Sequence, residues 1–428
     1  MIYCFDIDGT VCTNTYGAYQ DAKPIPHVIE RINVLVRLGH TVYLFAARET
    51  QSGTNWIEFT RKQLKNWGVS YHTLFSNRPV ADIYIDDKSV NISDWNLTPI
   101  FDEKLNKNSS KYDLSKISCY LCGCNELEVM ASETRSTLSE VWYCENCDMA
   151  MLDWQTKNNL EEYYNYLYRK EHGPDLNRQA DYETIFQSQV GHQEGRLNAL
   201  KPYLSESSKV LEIGCSSGHF LYHIKKLVGE VVGVDYDKEA AKYAAEQCSC
   251  KTYSGDFNQI NLEPEYFDVV CTIQTLEHVQ DPITFMQDLK KLVKKDGLVF
   301  VEVPNLYDPL ITIYANKIYN KFYFHDAHIY YFSVKSLQAV MKKAGIVGKV
   351  EFVQDYNFLN HVHWQSSNKP QQSCDQGLGP NRLKISENCP EAFRIEFDEM
   401  NERFDQEYKA LLSRYEVTDN LAFFGHPS

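Results

Sequence analysis

The chain has 428 residues and carries 43 Lys+Arg against 58 Asp+Glu, a formal net charge of -15. At ~150 residues per domain this length predicts about three domains, and 43% hydrophobic with 24% charged residues excludes a chain disordered throughout. The acidic balance argues against a nucleic-acid or anionic-membrane partner, but not against a small anionic ligand, because a bound Mg²⁺ or a helix N-terminus reverses the field locally.

The opening MIYCFDIDGT has no basic n-region, so no signal peptide is expected. No run of ~18 apolar residues is present to span a bilayer. There are 13 cysteines, five of them between Cys119 and Cys147. A cytoplasmic protein with reduced thiols follows, in which clustered cysteines bind metal.

Residues 1–101 alternate strand and helix. Strands are expected at Met1–Ile7, Thr41–Phe45 and Ala81–Ile85, with helices at Ile25–Leu38 and Glu58–Trp67, each stopped by a glycine. Strands separated by helices predict a parallel sheet. Residues 102–118 read as a polar linker, 119–155 as a small cysteine-paired module, and 156–205 as helical. A second β/α series follows, with strands near 209–213, 230–235, 267–273, 297–303 and 348–353. Residues 356–428 read as a loop followed by a helix with one apolar face (Phe393, Phe397, Met400, Phe404, Tyr408, Leu411), and the chain ends in LAFFGHPS.

Three constellations carry chemistry. In the first, Asp6 and Asp8 follow one apolar strand, and Asp86 and Asp87 follow another. Ligands bind beyond the carboxyl ends of parallel strands, and carboxylates gathered there need a cation, with all-oxygen ligands favouring Mg²⁺. FDIDGT and YIDD resemble the first and fourth motifs of the haloacid dehalogenase-like (HAD) phosphatases, in the form linked to sugar and capsule biosynthesis. The resemblance implies Asp6 as nucleophile, Asp8 as general acid/base, and Asp6, Asp8, Asp86 and Asp87 around Mg²⁺. Arg48 and Arg78 would hold phosphate. Ala46 stands where that family has a hydroxyl, and Arg78 where it has lysine.

In the second, Cys119-x-x-Cys122 and Cys144-x-x-Cys147 are two knuckles about 20 residues apart, a zinc-ribbon spacing. A closed four-thiolate site predicts structural Zn²⁺, whose removal would unfold this module alone, with a redox role as the alternative and Cys124 able to compete with Cys122.

In the third, Val210 to Gly218 runs from an apolar strand into a glycine-containing turn, and Gly233-Val234-Asp235 closes the next strand. LEIGCSSG and GVDYD resemble the first two motifs of class I S-adenosylmethionine (SAM)-dependent methyltransferases, with Ser216 in place of a glycine. The zinc ribbon ahead of them resembles the arrangement in sugar C-methyltransferases. The resemblance implies that Glu212, Gly214, Ser216, Gly218 and Asp235 cradle SAM, that Asp256 and Phe257 hold adenine, and that Gln274 lines the same site. Glu277, His278 and His328 are the candidates to deprotonate an acceptor, the other reading of either histidine being a hydrogen-bonded structural residue.

The expected architecture is α/β throughout. A HAD-like Rossmannoid domain (1–101) is followed by a linker, a zinc ribbon, a class I methyltransferase Rossmann-like domain (156–355) and a helical C-terminal tail. The expected function is methyl transfer to a sugar phosphate or nucleotide sugar, with an N-terminal phosphatase. The alternatives are a methyltransferase for another small molecule, and a first domain that only binds a phosphosugar or a partner. Sugar methyltransferases of this type continue into a further α/β domain, so the tail also predicts a truncated or replaced third domain.

Overall fold

The computed structural model describes residues 2–15, 18–37, 39–46, 48, 56–75, 83–85, 117–135, 139–152 and 181–428, in two compact units. Arg78, Asp86 and Asp87, the linker up to residue 116, the end of the cysteine module (153–155) and residues 156–180 of the expected helical region lie outside the described residues. No described helix is long and apolar enough to cross a membrane.

The first unit is built on a four-stranded parallel sheet in the order β3-β2-β1-β4, with β1 at Ile2–Asp6, β2 at Thr41–Phe45, β3 at Thr73–Phe75 and β4 at Ile83–Ile85. The short strand β3 is an addition to the expected set. Tyr3, Cys4 and Phe5 are all buried, the continuous apolar run of a strand covered on both faces. The helix Pro26–Arg37 buries Val28, Ile29, Ile32 and Leu35 on one stripe, and Gly39 follows it at φ +81. Asp6 ends β1 and pairs with Phe45, so Asp8 emerges at the carboxyl edge of the sheet.

In the second unit a seven-stranded sheet has the order β10-β9-β8-β11-β12-β15-β14. The strands are β8 (Lys209–Ile213), β9 (Glu230–Asp235), β10 (Lys251–Ser254), β11 (Phe267–Ile273), β12 (Val293–Pro304), β14 (Ile346–Val353) and β15 (Asn420–Pro427). Counted in chain order this is 3-2-1-4-5-7-6. Six strands run in one direction, and β15 enters antiparallel between β12 and β14. Helices are started by aspartate caps: Asp181 accepts from the Thr184 N–H, Asp237 from those of Glu239 and Ala240, and Asp281 from that of Thr284.

The C-terminal segment differs from its expected form. Residues 421–427 of LAFFGHPS lie within the seventh strand of this sheet, with Phe300 opposite Phe424 and Phe423 opposite Val350. Residues 421–424 are buried, and each apolar side chain removed from water contributes roughly 1.5–3 kcal/mol. The sheet therefore extends past residue 355 and takes its last strand from the segment read as a tail. The stretch read as a loop holds the end of helix Phe358–Ser367 and the helix Cys374–Leu378. The long helix Glu391–Arg414 does not bury its apolar stripe: Phe393 is 53% exposed and Met400 48%. It docks through buried Leu412, an edge-on contact of Phe404 with Phe358, and polar groups. Asp405 accepts from the Phe358 N–H at 2.7 Å, and the Tyr408 hydroxyl meets Tyr314 at 2.8 Å and His361 at 2.6 Å.

A second sheet of this unit, all antiparallel, has the order β13-β7-β6-β5, with β5 at Glu128–Ala131, β6 at Val141–Cys144, β7 at Met149–Leu152 and β13 at Tyr330–Phe332. The cysteine module thus shares a sheet with residues that follow β12. Ser333, just past β13, donates to the Asp148 carbonyl at 2.6 Å while capping the helix Val334–Ala344. Lys343 donates to the Leu121 carbonyl at 2.9 Å. This shared hydrogen bonding argues against a module that unfolds alone.

Candidate active site

The strand order of the large sheet reverses between β8 and β11, which opens a crevice beyond their carboxyl ends. The turn after β8 forms one wall. Gly214 has φ +84 and packs against the Thr275 side chain so closely that any Cβ would collide with it. Gly218, also at φ +84, starts the helix His219–Ile224, and a Cβ there would lie 2.8 Å from Ala244 Cβ and 2.9 Å from Cys248 Sγ. Both glycines are required by conformation and by space. Ser216 adopts a left-handed φ of 49, the conformation for which glycine is better suited, and its N–H donates to Asp235 Oδ2 at 2.7 Å. The other Asp235 oxygen accepts from the Asp237 N–H at 2.9 Å.

Gly255 follows β10 at φ +106 with open space where a Cβ would stand, and its N–H donates to the Asp235 carbonyl. Asp256 caps the next turn through the Asn258 N–H at 2.9 Å. Phe257 is buried, its ring edge-on to Phe285 at 5.3 Å.

Buried carboxylates dominate this end of the sheet. Glu212 on β8 is 2% exposed, and its Oε2 has no hydrogen-bond partner among the described residues. Burial pushes its carboxyl well above the usual range, opposed by the Arg196 charge. Glu302 on β12, buried within the apolar stretch 298–303, is paired with Arg196: Nε lies 3.0 Å from both carboxylate oxygens and Nη2 2.6 Å from one. Gln274, at φ 49, donates to Glu302 at 3.2 Å and to Asn420 Oδ1 at 2.8 Å. Asn420 donates to Asp355 at 3.0 Å.

Arg196, Glu302, Asp355, Asn420 and Thr275 were not among the residues singled out from sequence. A glutamate inside GLVFVEVPN was the available signal, since a charge within a buried strand requires a partner. For SAM, a sulfonium cation, the glycine turn and this negative environment fit.

The other wall follows β11. Glu277 is 1% exposed, with neither carboxylate oxygen hydrogen-bonded among the described residues. Burial raises its pKa to about 8. Its Oε1 lies 3.8 Å from His278 Nε2 and 3.7 Å from His328 Nε2. The two imidazoles meet edge-on, with centroids 4.7 Å apart. His278 Nδ1 sits 2.9 Å from the Ala327 carbonyl, so the proton on that atom donates and Nε2 carries the lone pair. Three residues predicted from two distant segments therefore stand together.

In the cysteine module the sulfurs of Cys119, Cys122, Cys144 and Cys147 all lie within 4.8 Å of one another. Cys122 and Cys144 approach to 3.7 Å, a separation that suits two thiolates on one tetrahedral zinc. Cys124 turns away and accepts from the Glu126 N–H at 3.4 Å, so it does not compete with Cys122. This donor set fits Zn²⁺.

In the first unit, Arg48 is 2% exposed and does not stand free for a phosphate. Its Nε and Nη2 each lie 2.7 Å from one oxygen of Asp8, and its Nη1 donates to Thr60 at 3.0 Å and Gln63 at 2.9 Å. Both carboxylate oxygens of Asp8 are engaged by that fork. Asp6 sits at the end of β1, as expected of a residue meeting ligands at the strand ends.

Residues 189–347 match the family model of a methyltransferase domain. Over 107 residues the chain is 31% identical to the ubiquinone biosynthesis O-methyltransferase of Actinobacillus pleuropneumoniae serotype 5b, covering 23% of this chain and 46% of that protein. Over 161 residues it is 28% identical to the tRNA U34 carboxymethyltransferase of Campylobacter jejuni, covering 35% and 54%. A solved SAM-dependent methyltransferase from Archaeoglobus fulgidus aligns with a TM-score of 0.38 at 19% identity, over 57% of this chain and 97% of that one. The chain spans about half the length of the curated relatives it matches. The match of residues 189–347 is to a methyltransferase domain, and the strand order and the glycine turn at its switch point agree with that match.

Proposed function

We propose that the chain transfers a methyl group to a small, sugar-linked acceptor. The turn after β8 holds SAM, and Glu277, His278 and His328 handle the acceptor. The observation that carries this reading is the meeting of the three side chains beyond β11, across the switch point from the glycine turn. Bound SAM supplies an electrophilic methyl with a good leaving group. What the chain must add is position and removal of the acceptor proton. Glu277, with a pKa pushed up to about 8 by burial, exchanges a proton near neutral pH. His278 Nε2 is oriented as an acceptor by the contact of Nδ1 with Ala327. A nucleic-acid acceptor is disfavoured by the net charge of -15. Incubation with labelled SAM and a nucleotide-sugar library, read by mass spectrometry, tests the reading. Full turnover in both Glu277→Ala and His278→Ala removes their role.

For the first unit, the HAD-like reading takes Asp6 as nucleophile toward a phosphomonoester, with Asp86 and Asp87 as cation-binding candidates. Two observations favour a second version, in which this unit does not turn over a phosphate ester and serves as a phosphosugar- or partner-binding module: Ala46 lacks a hydroxyl, and Arg48 occupies Asp8. Mg²⁺-dependent phosphate release that disappears in Asp6→Asn supports catalysis. Tight binding of a sugar phosphate with no release supports the binding module.

A further inference from the structure

Glu277, His278 and His328 have a second property besides acid–base chemistry, which is that they form a ligand set. One ligand atom from each lies within 4.8 Å of the others. We propose that this trio binds a divalent transition-metal ion, at a site separate from the cysteine cluster. The proposal rests on the reading of this end of the sheet as the acceptor side, where an acceptor oxygen would fill an open coordination position.

Three observations support it. The first is the spacing. Oε1 of Glu277 is 3.8 Å from one imidazole nitrogen and 3.7 Å from the other. Tetrahedral bonds of about 2.0–2.1 Å place neighbouring ligand atoms roughly 3.4 Å apart, so closure by a few tenths of an ångström completes the set. The second is the state of Glu277. Its carboxylate is 1% exposed and neither oxygen has a hydrogen-bond partner among the described residues. A buried carboxylate left in that state is costly, and neutral imidazoles do not supply the missing positive charge, whereas a dication does.

The third is the support around the ligands. His278 presents Nε2 because Nδ1–H is held by the Ala327 carbonyl at 2.9 Å, the backbone anchoring that metal-binding histidines use. The Ile329 N–H donates to the Glu277 carbonyl at 2.8 Å, which fixes the chain next to His328 against the end of β11. Two imidazoles and one carboxylate suit zinc or iron(II) rather than magnesium or calcium. Three protein ligands leave a position open, unlike the closed four-cysteine site.

Cobalt(II) binding to the full chain tests this. Metal-free, reduced protein is reloaded with cobalt, and the metal bound per chain is measured alongside the absorption spectrum. Thiolate ligation gives an intense charge-transfer band, and nitrogen–oxygen ligation gives weak visible bands only. Two cobalt ions per wild-type chain are expected. Glu277→Gln and His328→Gln should each bind one, with the thiolate band unchanged as the sign of an intact fold. A single cobalt in the wild type, or two in both variants, overturns the site. Methyl transfer without a second metal would overturn this inference and leave the proposed activity standing. A second metal without methyl transfer to any acceptor would do the reverse.

Discussion

Arg196 and Glu302 are 106 residues apart in sequence, yet the guanidinium of one lies against both carboxylate oxygens of the other at 2.6–3.0 Å. Glu302 is 1% exposed and Arg196 13%, so water screens neither well. The pair ties the helix Glu194–Leu200 to the middle of the large sheet and anchors Gln274, next to the crevice. Removing one partner leaves a buried charge without compensation. Arg196→Ala should cost on the order of 3–5 kcal/mol, read as a lower urea midpoint, whereas an apolar pair such as Arg196→Met with Glu302→Leu should recover much of it. An unchanged midpoint in Arg196→Ala would show that the pair does not hold this end of the sheet.

The glycines of the crevice separate two kinds of constraint. Gly214 is confined both by its positive φ and by Thr275, while Gly255 has a positive φ and open space. Gly255→Ala should therefore cost only the backbone penalty, about 1 kcal/mol. Gly214→Ala should cost more, about 1–3 kcal/mol, and lower SAM affinity by at least ~10-fold, or ~1.4 kcal/mol. Calorimetric titration with SAM checks both. Equal affinities for the two variants would mean that Thr275 yields and the close approach is dispensable.

Zinc removal should reach beyond the cysteines. β7 carries β13 as its neighbour, and the Asp148 carbonyl takes the Ser333 hydroxyl that caps the following helix. Chelation under reducing conditions, or Cys122→Ser, should raise hydrogen exchange at residues 330–336 as well as within 117–152. Exchange that rises within 117–152 alone would mean that the shared sheet transmits nothing.

His361 is 1% exposed, and its pKa is lowered to about 4, first by burial and then by the Lys409 charge. It is neutral in the folded chain below the pH at which an unfolded histidine takes a proton, about 6.5. The unfolded state binds more protons between those values, so stability should fall as pH drops from about 6.5 toward 4, by up to about 3 kcal/mol in total. His361→Gln should flatten that part of the pH profile while still offering a partner to the Tyr408 hydroxyl. The check is the thermal midpoint of both proteins at pH 7 and pH 4.5, and an equal loss in both would rule His361 out as its source.

Local features were legible along the chain. Apolar runs marked β1, β2, β8, β9 and β11, three of them ending at a glycine or an acidic residue (β1, β8 and β9), because a strand covered on both faces must be apolar through its length. The cysteine spacing marked the metal-type cluster, since a pair of knuckles encodes its own geometry. Glu277 and His278 were visible as polar residues at the end of a strand, where parallel sheets meet ligands.

Long-range pairing was not legible. LAFFGHPS has the pattern of a strand wherever it goes, and only the unpaired edges of β12 and β14 decide that it becomes β15. The last helix read as having one apolar face, but most of that stripe is exposed and Asp405 and Tyr408 add docking contacts, because hydrogen-bond partners from another segment cannot be read from periodicity. Arg48 read as a phosphate ligand until the fold brought it to Asp8. The meeting of His328 with Glu277 and the closure of Arg196 on Glu302 likewise depend on contacts between distant segments. Composition, periodicity and motif spacing act over a few residues, whereas the partner of a buried charge is selected by the whole packed chain.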